Sequence, residues 1–485
     1  MEALYDIVVI GGGITGLGIA RLATSNGLRC AVLDRGDLAG GTSSASSHML
    51  HGGLRYLEHG RLELVRESLN ERRALAHMAP GLARPERFLV PVYRGDRVDP
   101  LRLRIGLWLY DRLAASNGMT PHTMVRAREA CSLEPGLAAD GLRGAGLYTD
   151  LVMDDGRLAV AVARDAADHG AAIHTYTEAF GARPGSEGST QVLAHDLIDG
   201  GERSFPGRVV VNATGPWTDA VRLALSRSLN PGTVDPEPIL RPSRGIHLVY
   251  PRLTNGHGLV IVARADGRVF FAVPFGDHTL VGTTEVEAPS PPPPAAWRPT
   301  FDEVRYLREE LRRALPGAAG APPLALMSGL RPLLRSEDAV GRASREHRVV
   351  DDRGFVTVAG GKYTTFRVVA RDVLARVAGP VGRAGRPIVD PEAPLPAPLS
   401  PEADIELLAE HAVTREFARR VSDVIRRRSR LWLTPDRGRV AAPRIAAVMA
   451  KHLGWSPERT RDEVQRWESE LWEEEWLIKK TLSDA

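Results

Sequence analysis

The chain has 485 residues, with 63 Lys or Arg against 60 Asp or Glu, so its formal net charge is only +3. This length exceeds a single-core domain and predicts two or three domains, and the mild charge gives no indication of a nucleic-acid partner. The two cysteines, Cys30 and Cys131, form no disulfide or metal-ligand pattern. Their scarcity favours a reducing cytoplasm, and we expect no metal site.

Residues 5–34 have the pattern of a strand, a glycine turn, a helix and a second strand. Residues 7–10 are an apolar, β-branched run of the kind found in buried parallel strands. Gly11, Gly13 and Gly16 fill the glycine positions of G-x-G-x-x-G, which brings a pyrophosphate to the start of a helix. Asp34 closes the second strand, where a carboxylate binds a ribose hydroxyl and disfavours a 2′-phosphate. The unit therefore predicts FAD or NAD rather than NADP.

Three later segments favour FAD over NAD. Residues 42–47 are rich in hydroxyls suited to phosphate oxygens and the flavin edge. Residues 209–216 predict a strand that ends in a glycine turn with the Ala-Thr-Gly pattern of FAD proteins, and residues 355–366 predict a strand, two glycines and a helix. The expected cofactor-binding residues are Gly11, Gly13, Thr15, Gly16, Asp34, Thr42, Ser43, Ser44, Ser47, Gly215, Gly360, Gly361 and Thr364.

The remaining segments predict the domain organisation. A long helix follows the hydroxyl-rich segment, with Leu62, Val65, Leu69 and Leu75 on one face. Residues 240–285 predict short strands of an antiparallel sheet, and residues 289–299 a stiff proline-rich surface connector. We expect an α/β protein: a discontinuous Rossmann-like FAD-binding domain (1–90, 151–217 and 325–385), an antiparallel-sheet substrate domain (91–150 and 218–324) and a helical C-terminal domain (400–485).

Several motifs carry a resemblance to a known family. They are IGGGITGLGIA, GTSSASSHMLHGGLRYLEHGRLELVRESLNER, RIGLWLYDRL, NATGPWTD, VGTTEVE, SGLRPL and GGKYTTFR, and they extend as far as residue 367. The chain resembles the FAD-dependent glycerol-3-phosphate dehydrogenases, which have a D-amino-acid-oxidase-like fold. REFARRVSDVIRRRSRLWL is similar to part of the family's helical C-terminal cap, which is shortened here. His48 departs from the family, whose members usually carry lysine at this position.

The resemblance implies oxidation of sn-glycerol 3-phosphate to dihydroxyacetone phosphate, with hydride transfer to FAD N5 and electrons passed to a membrane quinone. Close relatives pass the electrons to oxygen instead. Two rival functions are another oxidase of this fold, acting on an amino or hydroxy acid, and a nonenzymatic flavoprotein. A carboxylate substrate needs only one arginine, whereas a phosphate dianion needs a cluster of cations.

The family's active site implies catalytic roles for His51, Arg55, Arg331 and Lys362, each within a matching motif. Lys362 also stands out by composition, since only four of the 63 basic residues are lysine and no other precedes Lys451. An ammonium is a compact point charge, so arginine does not replace it in a tight site. Arg331 stands between apolar residues, where a buried charge requires an anion.

Two histidines compete for the role of proton acceptor. His51 precedes Gly52 and Gly53 and is favoured, while His247 opens a predicted strand and is the alternative. His48 is either the site of a covalent flavin link or, as we expect, an ordinary histidine beside a noncovalent flavin.

Membrane contact is expected at the surface of a bilayer rather than across it, because no apolar stretch approaches the roughly 18–20 residues of a membrane span. The segment 101–113, LRLRIGLWLYDRL, is basic and apolar together and predicts either a docking helix or a buried helix. The expected location is the cytoplasm, peripheral on the inner face of the cytoplasmic membrane. The oligomeric state is open, a homodimer being one alternative.

Overall fold

The structure, a computed structural model, describes residues 4–114, 119–318, 320–336 and 346–483. Its strands are β1 Tyr5–Ile10, β2 Cys30–Leu33, β3 Met49–Leu50, β4 Ala83–Tyr93, β5 Thr123–Arg126, β6 Leu142–Met153, β7 Ala172–His174, β8 Thr177–Pro184, β9 Thr190–Asp196, β10 Glu202–Asn212, β11 Ser243–Pro251, β12 Gly258–Val262, β13 Val269–Phe275, β14 His278–Gly282, β15 Val286–Glu287, β16 Ala325–Arg331, β17 His347–Asp352 and β18 Phe355–Gly360. Its α-helices are α1 Ile14–Ser25, α2 Leu62–Met78, α3 Pro100–Ala114, α4 Ala127–Leu133, α5 Asp155–Asp168, α6 Thr218–Leu229, α7 Phe301–Ala314, α8 Phe366–Val377, α9 Ile405–Arg415, α10 Val421–Asp423, α11 Ala442–Leu453 and α12 Pro457–Ser483.

The first sheet has the strand order β17-β18-β10-β1-β2-β7. Strands β18, β10, β1, β2 and β7 run parallel, β17 is antiparallel at the edge, and the hairpin of β8 and β9 pairs with β10. Parallel strands covered on both faces need apolar residues throughout, and Ile7, Val8 and Val9 of β1 are 0% exposed. The predicted strand, turn, helix and strand of residues 5–34 are confirmed.

Helix α1 packs on this sheet between α5 and α8, at a distance that only glycine permits. A Cβ on Gly16 would lie 1.9 Å from the carbonyl oxygen of Gly11. A Cβ on Gly18 would lie 2.4 Å from the ring of Phe366, the first residue of α8. The third glycine of the fingerprint therefore has the predicted role of close helix-to-strand packing.

The second sheet has the order β15-β11-β14-β13-β12-β4-β6-β3, with β16 beside β11 and β5 beside β6. The strands predicted within residues 240–285 are confirmed as β11 to β14, and they pair antiparallel. One pairing differs from the predicted antiparallel sheet, because β12 runs parallel to β4. A parallel pair needs a long crossover, and the chain between β4 and β12 supplies one.

Both sheets receive strands from the segments predicted as the FAD-binding domain. β3 and β4 lie in the second sheet, as does β16, whereas β17 and β18 lie in the first. The chain thus crosses between the sheets several times, and the domain boundaries stay a prediction.

Helix α2 confirms three of the four residues predicted on its apolar face. Val65, Leu69 and Leu75 are 0% exposed, whereas Leu62 is 44% exposed. The prediction for Leu62 was wrong because this residue begins the helix. Its Cα–Cβ bond tilts toward the helix N-terminus, so the side chain projects beyond the packed turns.

Two proline-rich segments, residues 289–299 and residues 387–401, which precede the predicted C-terminal domain, are bound to the body of the protein. In the first, Trp297 stacks on Trp217 with ring centroids 5.2 Å apart, so this connector is not purely a surface feature. In the second, the carbonyl oxygens of Val389 and Pro391 accept hydrogen bonds from Asn26 and Arg21 at 2.8 and 3.1 Å. This segment leads to the helices α9 to α12, and α12 carries the fully buried indole of Trp467. None of the described helices is long and apolar enough to cross a bilayer.

Candidate functional site

A cavity of about 2360 Å³ is lined by residues of both sheets. Pockets for single small ligands measure roughly 300–1,000 Å³, so this cavity has room for a dinucleotide and a second molecule. It brings together most of the predicted site residues, namely Gly11, Gly13, Thr15, Asp34, Thr42, Ser43, Ser47, His51, Gly215, His247, Arg331, Gly360, Gly361, Lys362 and Thr364. Gly16 and Ser44 do not line it. The side chain of Arg55 lies outside the described part of the chain.

The nucleotide end of the cavity is formed by the glycine turn. Gly11 has a φ of +114°, and a Cβ there would lie 2.5 Å from the carbonyl oxygen of Ala213. The Asp34 carboxylate accepts hydrogen bonds from the N–H groups of Gly12 at 2.6 Å and Gly36 at 2.8 Å. Burial raises the pKa of Asp34, and these two hydrogen bonds lower it in part. A bare backbone cradle with a carboxylate at its rim fits the ribose and pyrophosphate of FAD.

The hydroxyl-rich segment serves two purposes. The Ser43 hydroxyl accepts a hydrogen bond from the N–H of Ile14 at 3.0 Å, so it caps α1. Thr42 donates to the Leu330 carbonyl oxygen at 2.5 Å and ties the segment to β16. Ser44 donates to the Ala39 carbonyl oxygen at 2.8 Å, which stabilises the loop itself.

Lys362 follows a left-handed turn, since Gly360 and Gly361 have φ values of +78° and +91°. Its Nζ donates to the hydroxyl of Ser68 at 3.0 Å and lies 4.2 Å from the ring centroid of Tyr56. An ammonium over an aromatic face is stabilised electrostatically. Lys362, which the sequence predicts as a catalytic residue, lines the cavity, and its catalytic role stays a prediction.

Arg331 is held by the strand end of the second sheet. Its Nη2 donates to the Thr283 hydroxyl at 2.7 Å and to the Thr284 carbonyl oxygen at 3.1 Å. Glu285 lies 3.8 Å from its Nη1. The space for the guanidinium exists because residue 245 is glycine, as a Cβ there would lie 2.4 Å from Nη2. No local sequence pattern indicates that residue 245 must be glycine.

His51 follows β3 in a segment held by buried polar groups. The Gly52 N–H donates to the Tyr110 hydroxyl at 2.7 Å, and that hydroxyl donates to Asp150 at 2.9 Å. Arg72 pairs with Asp150 at 2.5 Å, and both side chains are 1% exposed. This chain of contacts fixes the backbone beside His51, which lines the cavity.

His247 also lines the cavity but is 3% exposed. Its Nε2 lies 2.9 Å from the Ser47 hydroxyl, and its Nδ1 has no hydrogen-bond partner among the described residues. Burial, with smaller effects of Arg331 and His48, lowers the pKa of His247 to about 3. The ring is therefore neutral at ordinary pH.

His48 lies behind the cavity wall and is not a lining residue. It is 3% exposed and packs edge-on against Phe275, with ring centroids 4.4 Å apart. Its Nδ1 is 3.1 Å from the Met153 carbonyl oxygen, and its Nε2 is 3.4 Å from Asp155. These contacts support an ordinary histidine beside a noncovalent flavin.

Among the cavity-lining residues that the sequence did not single out are Asp37, Trp217, Trp297 and Arg427. Trp217 belongs to the NATGPWTD motif, so a signal for it was present. Arg427 and Asp37 form an ion pair across 390 residues of sequence, which no local pattern reveals. Trp297 comes from the proline-rich connector, whose composition predicts stiffness but not contact.

The family comparisons agree with this geometry. Residues 6–371 match the family model described as FAD dependent oxidoreductase, and residues 386–460 match the C-terminal domain of alpha-glycerophosphate oxidase. The chain is 35% identical over 523 residues to the glycerol-3-phosphate dehydrogenase of Mycobacterium leprae, covering 95% of this chain and 87% of that protein. It is 30% identical over 536 residues to the mitochondrial glycerol-3-phosphate dehydrogenase of Rattus norvegicus, covering 95% and 72%.

Solved structures show the same fold. The glycerol-3-phosphate dehydrogenase of Bacillus halodurans complexed with FAD superposes with a TM-score of 0.72 at 21% identity, covering 99% of this chain and 95% of that chain. The FAD-bound L-alpha-glycerophosphate oxidase of Mycoplasma pneumoniae has a TM-score of 0.60 at 17% identity, covering 78% and 95%. The predicted fold class and the predicted cofactor, FAD, are confirmed. The chain belongs to the glycerol-3-phosphate dehydrogenase family of FAD-dependent oxidoreductases.

Proposed function

We propose that this protein oxidises sn-glycerol 3-phosphate to dihydroxyacetone phosphate and passes the electrons to a membrane quinone. The observation that carries the proposal is one cavity in which the FAD-binding motifs adjoin Lys362, Arg331 and His51. Relatives named glycerol-3-phosphate dehydrogenase, which this chain matches over most of its length, support the same substrate.

The phosphate group of the substrate requires cations to balance its negative charge. Lys362 and Arg331 supply two positive charges, each oriented by a hydroxyl, from Ser68 and Thr283 respectively. Arg55 is the third cation of the proposal. Charge-assisted hydrogen bonds of this kind are roughly twice as strong as neutral ones. An amino or hydroxy acid substrate needs a single cation for its carboxylate, so the cluster favours a phosphate dianion.

The reaction also needs an acceptor for the hydroxyl proton. Bound FAD supplies the hydride acceptor at N5. We assign the proton to His51, because its imidazole lines the cavity and the Gly52–Tyr110 hydrogen bond fixes the backbone beside it. The lowered pKa of His247, about 3, makes that ring a poor base. His247 instead orients the Ser47 hydroxyl, which lies 2.9 Å from its Nε2.

Helix α3 supports docking on the inner face of the cytoplasmic membrane. Leu101, Ile105 and Trp108 project from one side of it and are 64%, 56% and 52% exposed, while Leu103 and Leu107 are buried on the other. Three arginines of the same helix, Arg102, Arg104 and Arg112, suit anionic headgroups. Ile105 also lines the cavity, so the exposed apolar side meets the cavity rim.

The proposed reaction is tested by titrating the yellow protein with sn-glycerol 3-phosphate without oxygen. We expect stoichiometric bleaching of the flavin band, followed by recolouring with a quinone. Recolouring by oxygen alone identifies an oxidase, and bleaching only by an amino or hydroxy acid overturns the substrate. A flavin that no such compound bleaches indicates a nonenzymatic flavoprotein.

Replacing Lys362 by Ala is expected to raise KM and slow flavin reduction, because the phosphate loses a charged partner. The loss in kcat/KM should be about 10- to 100-fold, as a hydrogen bond to a charged group contributes about 1.5–3 kcal/mol. Stopped-flow measurement of flavin bleaching gives both constants. Lys451→Ala, at an exposed position of α11, is the matched control. Unchanged reduction kinetics in Lys362→Ala would remove this residue from the site.

Gly245→Ala is expected to displace the Arg331 guanidinium, since the new Cβ would lie 2.4 Å from Nη2 and 2.3 Å from the Thr283 hydroxyl. We expect kcat/KM to fall by at least about tenfold while FAD stays bound, because a charge-assisted contact is lost. Steady-state kinetics and the flavin-to-protein absorbance ratio separate the two effects. Gly317→Ala, where the new Cβ meets nothing within 4 Å, should behave like the parent protein. Parental kinetics in Gly245→Ala would argue against a role for Arg331.

Changing Leu101, Ile105 and Trp108 together to Ser should weaken binding to anionic phospholipid vesicles by at least about tenfold, because three apolar side chains lose their burial in the interface. Vesicle co-flotation measures this binding, and flavin reduction by substrate in solution should be unaffected. The control changes Leu407, Trp472 and Trp476, which are also exposed, to Ser. An equal loss of binding in the control would show that α3 is not the docking element.

A further inference from the structure

Three consecutive arginines, residues 426–428, lie on a π-helical turn of the C-terminal region, Val424–Arg428. Such turns are rare and occur frequently at functional sites. Arg426 points to α12, where it pairs with Glu470 at 3.4 Å and Glu474 at 3.1 Å. Arg427 and Arg428 both pair instead with a residue near the N-terminus of the chain. The turn therefore connects the C-terminal helices to the nucleotide-binding fold.

The common partner of Arg427 and Arg428 is Asp37, in the loop that follows β2. Asp37 is 3% exposed and lines the cavity. Its Oδ1 accepts a hydrogen bond from Arg428 at 2.7 Å, and its Oδ2 accepts one from Arg427 at 2.5 Å. Burial alone would raise the pKa of Asp37, but the two arginines hold it below its ordinary value. A permanent carboxylate thus anchors both guanidinium groups.

Arg427 differs from its two neighbours because it lines the cavity. Its side chain is 11% exposed. Nε is held by Asp37, and Nη2 lies 3.3 Å from Asp423. Within the described part of the chain, Nη1 has no hydrogen-bond acceptor. Carboxylates therefore bind the Nε and Nη2 of this guanidinium, while Nη1 remains as a donor to a ligand in the cavity.

The stem of Arg427 lies beside the hydroxyl-rich segment. A Cβ on Gly156 would lie 3.3 Å from both the Arg427 Cγ and the Ser44 Cβ, so the two side chains meet over this glycine. Ser43, the next residue, caps the N–H of Ile14 at the start of α1. Arg427 thus lies close to the helix terminus at which a dinucleotide's phosphates bind.

We propose that Arg427 is a cofactor-binding residue, contributed by the C-terminal region, whose Nη1 donates to a phosphoryl oxygen in the adenosine diphosphate half of FAD. The fork of a guanidinium lets it pair with the Asp37 carboxylate and a phosphate at the same time. Docking of the π-helical turn and retention of FAD are therefore coupled. This inference concerns cofactor affinity and does not depend on the substrate proposed above.

The test compares FAD release from the full-length holoenzyme and its Arg427→Met and Arg426→Met variants. Flavin fluorescence after serial dilution gives the FAD affinity, and displacement of FAD by ADP gives the ADP affinity. Arg427→Met should bind FAD and ADP more weakly by the same factor, about 10- to 100-fold for one lost charge-assisted hydrogen bond. Arg426→Met removes an identical charge one residue away and should retain FAD like the parent protein.

Parental FAD affinity in Arg427→Met would overturn the proposal. So would weaker FAD binding with unchanged ADP binding, since the contact would then lie outside the shared phosphates. If Arg427→Met fails to fold, the Arg427→Lys variant tests the proposal instead. It keeps the charge and the pairing with Asp37 but loses the fork, so FAD and ADP affinities should both fall several-fold, and parental affinities would contradict the proposal. None of these measurements uses glycerol 3-phosphate, so failure here is distinct from failure of the proposed reaction.

Discussion

The contact of Gly16 with the Gly11 carbonyl sets the position of helix α1, on which the rest of the site depends. A methyl group at residue 16 would lie 1.9 Å from that oxygen, so helix and strand approach as closely as backbone allows. The N-terminus of α1 thereby opens at the cavity, where the partial positive charge of the helix end favours an anion. Gly18 extends the same close packing to α8, whose preceding turn carries Lys362. One helix thus positions elements from both ends of the nucleotide fold.

The cavity exists because the chain crosses repeatedly between the two sheets. After β2 it leaves the first sheet, follows the cavity wall through the hydroxyl-rich segment, and enters the second sheet at β3 just before His51. It returns along β16, which ends at Arg331, and then passes to β18, which ends before Lys362. Residues far apart in sequence therefore meet at strand ends, where side chains are held by the sheets but are free to face a ligand.

The features that could be predicted from the sequence are those that depend on a local pattern of residues. The glycine fingerprint, the strands β11 to β14 and the turn before Lys362 each have a spacing that only one local structure satisfies. Contacts between distant segments were not predictable in this way. The need for glycine at residue 245 arises from Arg331, and the exposure of Leu62 depends on where α2 begins. The stacking of Trp297 on Trp217 likewise requires knowledge of how the connector folds back onto the cavity.

Strand β2 has a chemical consequence for an enzyme that holds a reducible flavin. Reduced flavins that meet oxygen release peroxide, and the attack of peroxide on cysteine requires the thiolate. Cys30 lies within β2, a few residues before Asp34, and is 0% exposed. Burial, with a smaller effect of Asp6, raises the pKa of its thiol to about 12. The sulfur closest in sequence to the nucleotide site is therefore kept protonated and out of reach, and the strand that leads to Asp34 is protected from sulfenic acid formation during turnover.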